Sequence, residues 1–313
     1  MIFLGIPATY LYNMVSGIIR SLGDSRTPLI FLILSSILNI LLDLFMILVL
    51  HMGEEGAAIA TVIAQAVSGV CCLIFMIKRF ELLRMTKEEA KPDRDILLAL
   101  CNMGVPMGLQ YSITAIGSVV LQTAVNGLGS MAVAAVTAGT KISMFFCCPF
   151  DALGSTMATY GGQNIGARKL DRISRGLKAA SVMGCVYAVF ALGVLFVFGR
   201  QISLLFLDRG QTEILGQVQM FLIGNSLFYI PLAFVNIVRF LIQGMGYSKL
   251  AVLAGVCEMA ARAFVGFCLV PVLGYAAVCF ASPAAWIAAD AFLIPSYIRI
   301  MKKLKAMPGY QCG

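Results

Sequence analysis

The chain has 313 residues, of which 60% are hydrophobic and 12% are charged, and its mean hydropathy is +0.92. This composition excludes a soluble globular domain, because too few polar side chains are available to cover the surface of one. The net charge of +8 would suit a nucleic-acid partner, but the basic residues are spread between apolar segments and leave no basic patch for DNA or RNA.

Apolar runs of about 20 residues, the length that an α-helix needs to cross a bilayer, recur along the whole chain. The alternation of a membrane β-strand is absent from them. The sequence therefore predicts an all-α polytopic membrane protein with nine transmembrane helices. The predicted spans cover residues 2–22, 27–50, 56–77, 97–122, 131–157, 178–199, 216–242, 249–272 and 274–297.

Basic residues outside the spans lie almost entirely in alternate gaps, such as 78–94 and 168–178, whereas the opposite gaps hold only Arg200 and Arg209. The positive-inside rule places the basic gaps and the carboxyl terminus in the cytoplasm, and Met1 outside. We therefore expect a multi-pass protein of the plasma (inner) membrane.

The turn after the first span, RSLGDSRTPL at 20–29, resembles the turn after the seventh span. In each, a glycine ends one helix and a serine, Ser25 or Ser248, is expected to cap the next. Equal spacing relates Asn13, Gly23, Ser25 and Arg26 to Asn236, Gly246, Ser248 and Lys249. Both turns are predicted to face the cytoplasm, which indicates a parallel repeat about an axis along the membrane normal.

The repeat unit is six spans long, and only its second copy is complete. Residues 1–92 are interpreted as the last three helices of a first lobe plus a cytoplasmic linker, and residues 93–313 as a complete six-helix lobe. We expect three earlier helices to be missing from this chain.

Charged side chains inside spans are costly in a bilayer and so are candidates for function. Glu258 and Arg262, at i and i+4, are expected either to neutralise each other or to form a site. Arg239 either extends to the cytoplasmic end of its helix or lines a cavity. The possible ion-coupling carboxylates are Asp43, Asp151, Glu258 and Asp290.

Lys141 is predicted to lie deep in the fifth span without a carboxylate at i±4, so it requires a partner on another helix or water. Asp151 follows Pro149, which is expected to break the helix and free carbonyl groups toward a cavity. In the fourth span, Gln110, Thr114 and Ser118 form a polar stripe that either joins helices or faces water.

Catalytic and metal motifs are absent from the sequence. There is one histidine, His51, and the ten cysteines include no Cys-x-x-Cys pair. The sequence also contains no Walker loop and no Gly-x-Ser-x-Gly element. We therefore expect no enzyme activity, no cofactor and no metal site, and coupling to an ion gradient instead of ATP hydrolysis.

The segments RSLGDSRTP, NILLDLFMIL, GAAIATVIAQ and YGGQNIGARKLDR resemble the multidrug and toxic compound extrusion (MATE) family. The motif residues that carry the resemblance are Arg20, Gly23, Asp24, Pro28, Gly162, Gln163, Gly166 and Ala167. The short residues of the element Gly162-Gln163 and Gly166-Ala167 are expected to let the loop after it turn tightly on the cytoplasmic side.

The resemblance implies a twelve-helix transporter of two six-helix lobes, which exports organic, often cationic compounds in exchange for H+ or Na+ by alternating access. In one branch of the family an aspartate of the first helix binds the ion, and that helix is not among the predicted spans. The other branch uses a glutamate, and Thr114 stands at the matching position.

The expected function is secondary active export of a small organic substrate across the lipid bilayer, by a chain that is a truncated form. Alternatives are a lipid-linked oligosaccharide flippase of the same superfamily, a non-transporting fragment, or an assembly partner whose missing helices are supplied elsewhere. The residues expected to line the pathway are Gln110, Tyr111, Thr114, Lys141, Asp151, Asn225, Tyr229 and Asn236.

Overall fold

A computed structural model describes residues 2–83, 91–207 and 210–307, and all regular elements in these ranges are helical. Residues 84–90 of the expected linker, and Arg209, fall outside the described residues. The α-helices are α1 (Ile6–Ser21), α2 (Arg26–Leu44), α3 (Gly53–Arg79), α4 (Arg94–Asn126), α5 (Ser130–Gly166), α6 (Leu170–Ser203), α7 (Thr212–Ser226), α8 (Tyr229–Gly244), α9 (Ser248–Phe264), α10 (Val270–Leu273) and α11 (Tyr275–Ala306).

The all-α membrane fold is confirmed, but the number of nine spans is not. Seven helices of the described residues are long and apolar enough to cross a membrane, and α7 with α8 makes an eighth if that pair, bent by 51°, is one span. The remaining predicted span coincides with α1, which has only 16 residues.

The chain divides into two compact units, residues Met1–Asp93 and Arg94–Gly313. In the first unit, α1 and α2 pack against α3, around a small core that includes Tyr12, Val15, Ile19 and Cys72. In the second, α5 and α8 lie at the centre of a larger core and α4 packs along α9.

Each unit contains the same succession of backbone features. A left-handed glycine, Gly23 (φ 93°) or Gly246 (φ 92°), precedes a helix that ends in a π-helical stretch, Phe45–Val49 or Val265–Leu269. A second glycine with φ 58°, Gly53 or Gly274, then opens the next long helix. The two units therefore share more than one turn, since single turns of a membrane protein need share neither a π-helix nor a left-handed glycine. The parallel relation of the two copies stays a prediction.

The turn at Gly23 is capped differently from the expectation. One carboxylate oxygen of Asp24 accepts hydrogen bonds from the backbone N–H groups of Arg26 and Thr27, at 3.0 and 3.1 Å, and the other accepts the Thr27 hydroxyl at 2.6 Å. Ser25 makes no side-chain cap bond, and the Ser248 hydroxyl has no partner among the described residues. The prediction of serine caps was wrong at both turns. At the first, the longer aspartate side chain reaches two N–H groups at once. At the second, Ser248 is already the first helical residue and Tyr247 is the N-cap residue.

Two further expectations fail in α5. The helix continues through Pro149, and the carbonyl of Phe146, one turn earlier, accepts the Tyr187 hydroxyl at 3.2 Å. At its end the left-handed residue is Arg168 (φ 58°), so the tight turn does not depend on the conformational freedom of Gly166. Gly166 is the last helical residue and Ala167 caps it.

Candidate functional site

The second unit, Arg94–Gly313, is called the six-helix unit here, because its helices make six candidate spans if α7 and α8 are counted as one. A buried charge network joins α8 and α9 inside this unit. The Arg239 guanidinium donates to one carboxylate oxygen of Glu258, and Arg262 lies 3.8 Å from the other. The exposed fractions are 7% for Arg239 and 2% for Glu258. Desolvation of single charges in such a place is expensive, so removal of one partner would leave the other buried and unpaired at a large cost in stability.

The network extends to α4 through uncharged groups. Arg262 donates to the backbone oxygen of Thr114 at 3.2 Å and to the Ser118 hydroxyl at 3.5 Å. Gln243 on α8 donates to the side-chain oxygen of Gln110 at 2.6 Å. The predicted polar stripe of α4 thus contacts α8 and α9, and its side chains connect three helices.

Asp151 and Asn236 form a second polar contact, between α5 and α8. The Asn236 amide donates to the Asp151 carboxylate at 3.1 Å. Asn236 is buried and Asp151 is exposed on the surface of the unit. The repeat-matched Asn13 of the first unit is also exposed and lines a groove of about 340 Å³ with Thr9, Thr61 and Gln65.

The remaining predicted pathway residues are not brought together by the structure. Lys141 and Tyr111 are exposed on α5 and α4. Asn225 is buried and donates to the backbone oxygens of Phe221 and Cys279, at 2.9 and 3.4 Å. Tyr229 is fully buried in an aromatic cluster with Phe150 and Trp286.

Two of the predicted carboxylates have an oxygen that is buried and without a hydrogen-bond partner within the described residues. They are Asp43, just before the π-helical stretch of the first unit, and Asp290 in the middle of α11. Both oxygens of Glu258, in contrast, face guanidinium groups.

The family-motif residues have structural partners close to the turns. Arg20 donates to the Ser16 hydroxyl at 2.9 Å, and the Pro28 carbonyl accepts the buried Tyr12 hydroxyl at 2.9 Å. The Gln163 carbonyl accepts the N–H of Ala167 at 3.0 Å. Gly162 faces the Gly244 carbonyl, 3.2 Å from where a Cβ would lie, so it allows close approach of α5 and α8.

The sequence analysis missed Arg239, Arg262 and Gln243 as members of one site. Their spacing gave a partial signal, because Asn236, Arg239 and Gln243 share one face of α8. The i,i+4 relation of Glu258 and Arg262 obscured the closer partner, since Arg239 comes from another helix. Within residues 2–83, 91–207 and 210–307, no three His, Cys, Asp or Glu side chains are grouped to hold a metal ion.

Comparison with curated proteins gives relatives with related names. The chain is 27% identical over 219 residues to the probable multidrug resistance protein YoeA of Bacillus subtilis, covering 68% of this chain and 47% of that protein. It is 29% identical over 240 residues to the probable multidrug resistance protein YpnP of the same organism, covering 75% and 52%. The chain therefore spans about half the length of these relatives.

Solved structures show the same fold. An outward-facing multidrug resistance MATE family transporter of the MOP superfamily aligns over 95% of this chain and 67% of its own, with a TM-score of 0.89 and 21% identity. A MOP superfamily transporter from Pyrococcus furiosus aligns over the same shares, with a TM-score of 0.86 and 22% identity. A family model described as MatE matches residues 106–268. The chain belongs to the MATE family of multidrug efflux transporters.

Proposed function

We propose that this chain is part of a secondary active transporter that exports small organic, often cationic compounds in exchange for H+ or Na+. The observation that carries the proposal is the charge network of Arg239, Glu258 and Arg262 within membrane-spanning helices of a MATE-family chain. Ionisable groups are retained inside a bilayer chiefly where they serve transport or ion coupling, because their insertion costs free energy.

Alternating access requires a unit that moves without losing its internal packing. The six-helix unit fits this requirement, because its core includes residues of α5, α6, α7, α8, α9 and α11, and hydrogen bonds connect α4 to α8 and to α9. The multidrug names of the relatives favour export of organic compounds over the flippase alternative.

The proposal places the protein in the plasma (inner) membrane with its carboxyl terminus in the cytoplasm. The basic end of α11, with Lys303 and Lys305 in its last turn, supports this orientation. The chain spans about half of its curated relatives, so activity is proposed for the protein in its natural assembly. Reading the coding DNA upstream of Met1 for three apolar spans discriminates a truncated chain from one that functions with nine helices.

Expression in a bacterial strain without its own drug pumps tests the function. We expect cells that contain the protein to accumulate less ethidium than cells with an empty vector. Lys141→Ala should raise accumulation toward the empty-vector level, whereas Lys305→Ala, which also removes an exposed lysine, should leave it low. Equal accumulation with and without the protein contradicts the proposed function, and an unaffected Lys141→Ala variant removes Lys141 from the pathway.

A further inference from the structure

A groove on the six-helix unit combines an apolar wall with one carboxylate. It has a volume of about 460 Å³ and lies between the beginning of α8 and the middle of α11. Its lining residues are Pro231, Ile287, Asp290, Ala291, Ile294 and Pro295. A volume of this size is within the range of sites for drug-sized molecules.

Asp290 lines this groove and is incompletely hydrogen-bonded beneath its surface. Its Oδ1 atom is buried and has no hydrogen-bond partner within the described part of the chain. An ionised carboxylate in an apolar setting lacks the stabilisation that water would provide, and a cation or a proton restores it. The groove therefore has chemistry for a positive ligand at one point and apolar surface around it.

The neighbouring charges leave Asp290 available to a ligand. Helices α4, α7, α8 and α9 pack against α11. Their charged side chains are Arg94, Asp95, Glu213, Arg239, Lys249, Glu258 and Arg262. Of these, Arg239 acts electrostatically on Asp290, but its guanidinium is hydrogen-bonded to Glu258.

We propose that Asp290 and this groove form a binding site for a monovalent lipophilic organic cation. The apolar wall would supply most of the affinity and the carboxylate would select for positive charge. A proton binds the same carboxylate, so acid should weaken cation binding. The site rests on the proposed function, because it assigns the substrate class of that transport to one place in the six-helix unit.

Binding of tetraphenylphosphonium to the purified chain in detergent, measured by equilibrium dialysis, tests the site. We expect saturable binding that weakens as the pH is lowered. Asp290→Asn, which removes the charge and keeps the shape, should lower the affinity about tenfold or more, because the lost Coulomb attraction is worth at least one factor of ten in a partly buried site. Asp290→Glu, which keeps the negative charge, should retain much of the affinity for tetraphenylphosphonium.

Two other variants distinguish loss of this binding site from loss of negative charge elsewhere and from loss of folding. Glu213→Gln neutralises an exposed carboxylate of the same unit and should bind as the unchanged chain does. Ala291→Trp keeps Asp290 but fills the groove, and should also weaken binding. Because Ala291 is exposed, this variant remains informative if Asp290→Asn fails to fold. Unchanged affinity in Asp290→Asn or in Ala291→Trp overturns the proposal.

The binding assay and the export assay fail independently. Tetraphenylphosphonium binding that depends on Asp290, together with a natural assembly that never exports, would support the site and contradict the proposed function. Export that persists in Asp290→Asn, together with unchanged binding, would overturn the site and support the proposed function.

Discussion

The Arg239 guanidinium on α8 is hydrogen-bonded to the Glu258 carboxylate on α9, and both side chains are buried in the six-helix unit. Arg262 approaches the same carboxylate from one turn further along α9. Glu258 is thus the shared ionic partner of two guanidinium groups, and the network depends on its negative charge.

Removal of that charge should destabilise the unit. In Glu258→Gln, both arginines stay buried without an ionic partner, and we expect a loss of about 3 to 5 kcal/mol in the free energy of unfolding. The measurement is unfolding in mixed micelles as the denaturing detergent fraction rises. Arg239→Met combined with Glu258→Gln should lower the free energy of unfolding by less than the sum of the two separate losses. Each single change leaves the other partner buried without its ionic partner, and the double change does not. Additive losses would contradict a direct pair.

Close approach of α8 to α5 depends on Gly244. A Cβ at this position would lie 2.1 Å from the Ala158 carbonyl oxygen, which is backbone and cannot move aside. Gly244→Ala should therefore lower the melting temperature of the purified protein. Gly216→Ala is the matched control, because that glycine is exposed in α7 and has no neighbouring atom within 4 Å of the added Cβ. Without strain, it should be neutral or stabilising by about 0.5 to 1 kcal/mol.

The cap at Asp24 should make stability depend on pH. Hydrogen bonds from Thr27, first from its hydroxyl and then from its backbone N–H, lower the pKa of Asp24 below its ordinary value of 3.8. The ionised form is favoured in the folded state, so its contribution is present above that ordinary value and is lost as the pH falls through the lower, folded-state pKa.

Thermal unfolding of Asp24→Ala tests this cap. The variant should be less stable at neutral pH by about 1 kcal/mol, the usual cost of losing a helix cap. The difference from the unchanged protein should shrink in acid. Ser25→Ala should have no comparable effect, because Ser25 makes no side-chain cap bond. A larger loss in Ser25→Ala than in Asp24→Ala would reverse the assignment.

The hydrogen bond between Gln243 and Gln110 gives a prediction for a buried pair of uncharged side chains. Gln243→Leu strands the buried Gln110 amide, which should cost about 1 to 3 kcal/mol. Gln110→Leu combined with Gln243→Leu removes both polar groups and should recover part of that loss. Detergent-induced unfolding of the unchanged protein, both single variants and the double variant makes the comparison. A double variant that is less stable than either single variant would contradict the prediction.

The sequence alone predicts the all-α membrane fold, because apolar runs of the necessary length are a property of composition and spacing. It also predicts the repeat, since Gly23 and Gly246 mark turns that need a left-handed residue. The number of spans is harder to obtain. The hydropathy pattern predicts neither that α1 has only 16 residues nor that α7 and α8 are bent by 51°.

The candidate site is less accessible to sequence reasoning than the fold. Burial cost identifies Arg239, Glu258 and Arg262 as unusual, but helical spacing favours Arg262 as the partner of Glu258, whereas the closer contact is Arg239. That contact depends on α8 packing beside α9, which no local pattern encodes. The sequence does not decide between Asp24 and Ser25 as the cap, because both adjacent side chains have an oxygen that can accept the helix N–H groups.

Transport by the purified protein in proteoliposomes tests the central claim most directly. A pH or sodium gradient is imposed across the vesicle membrane, and movement of a fluorescent organic cation is followed in protein-containing and empty vesicles. The account predicts gradient-driven movement that requires the protein and stops when an ionophore collapses the gradient. Cation movement that is the same in both kinds of vesicle, from the protein in its natural assembly, would contradict it.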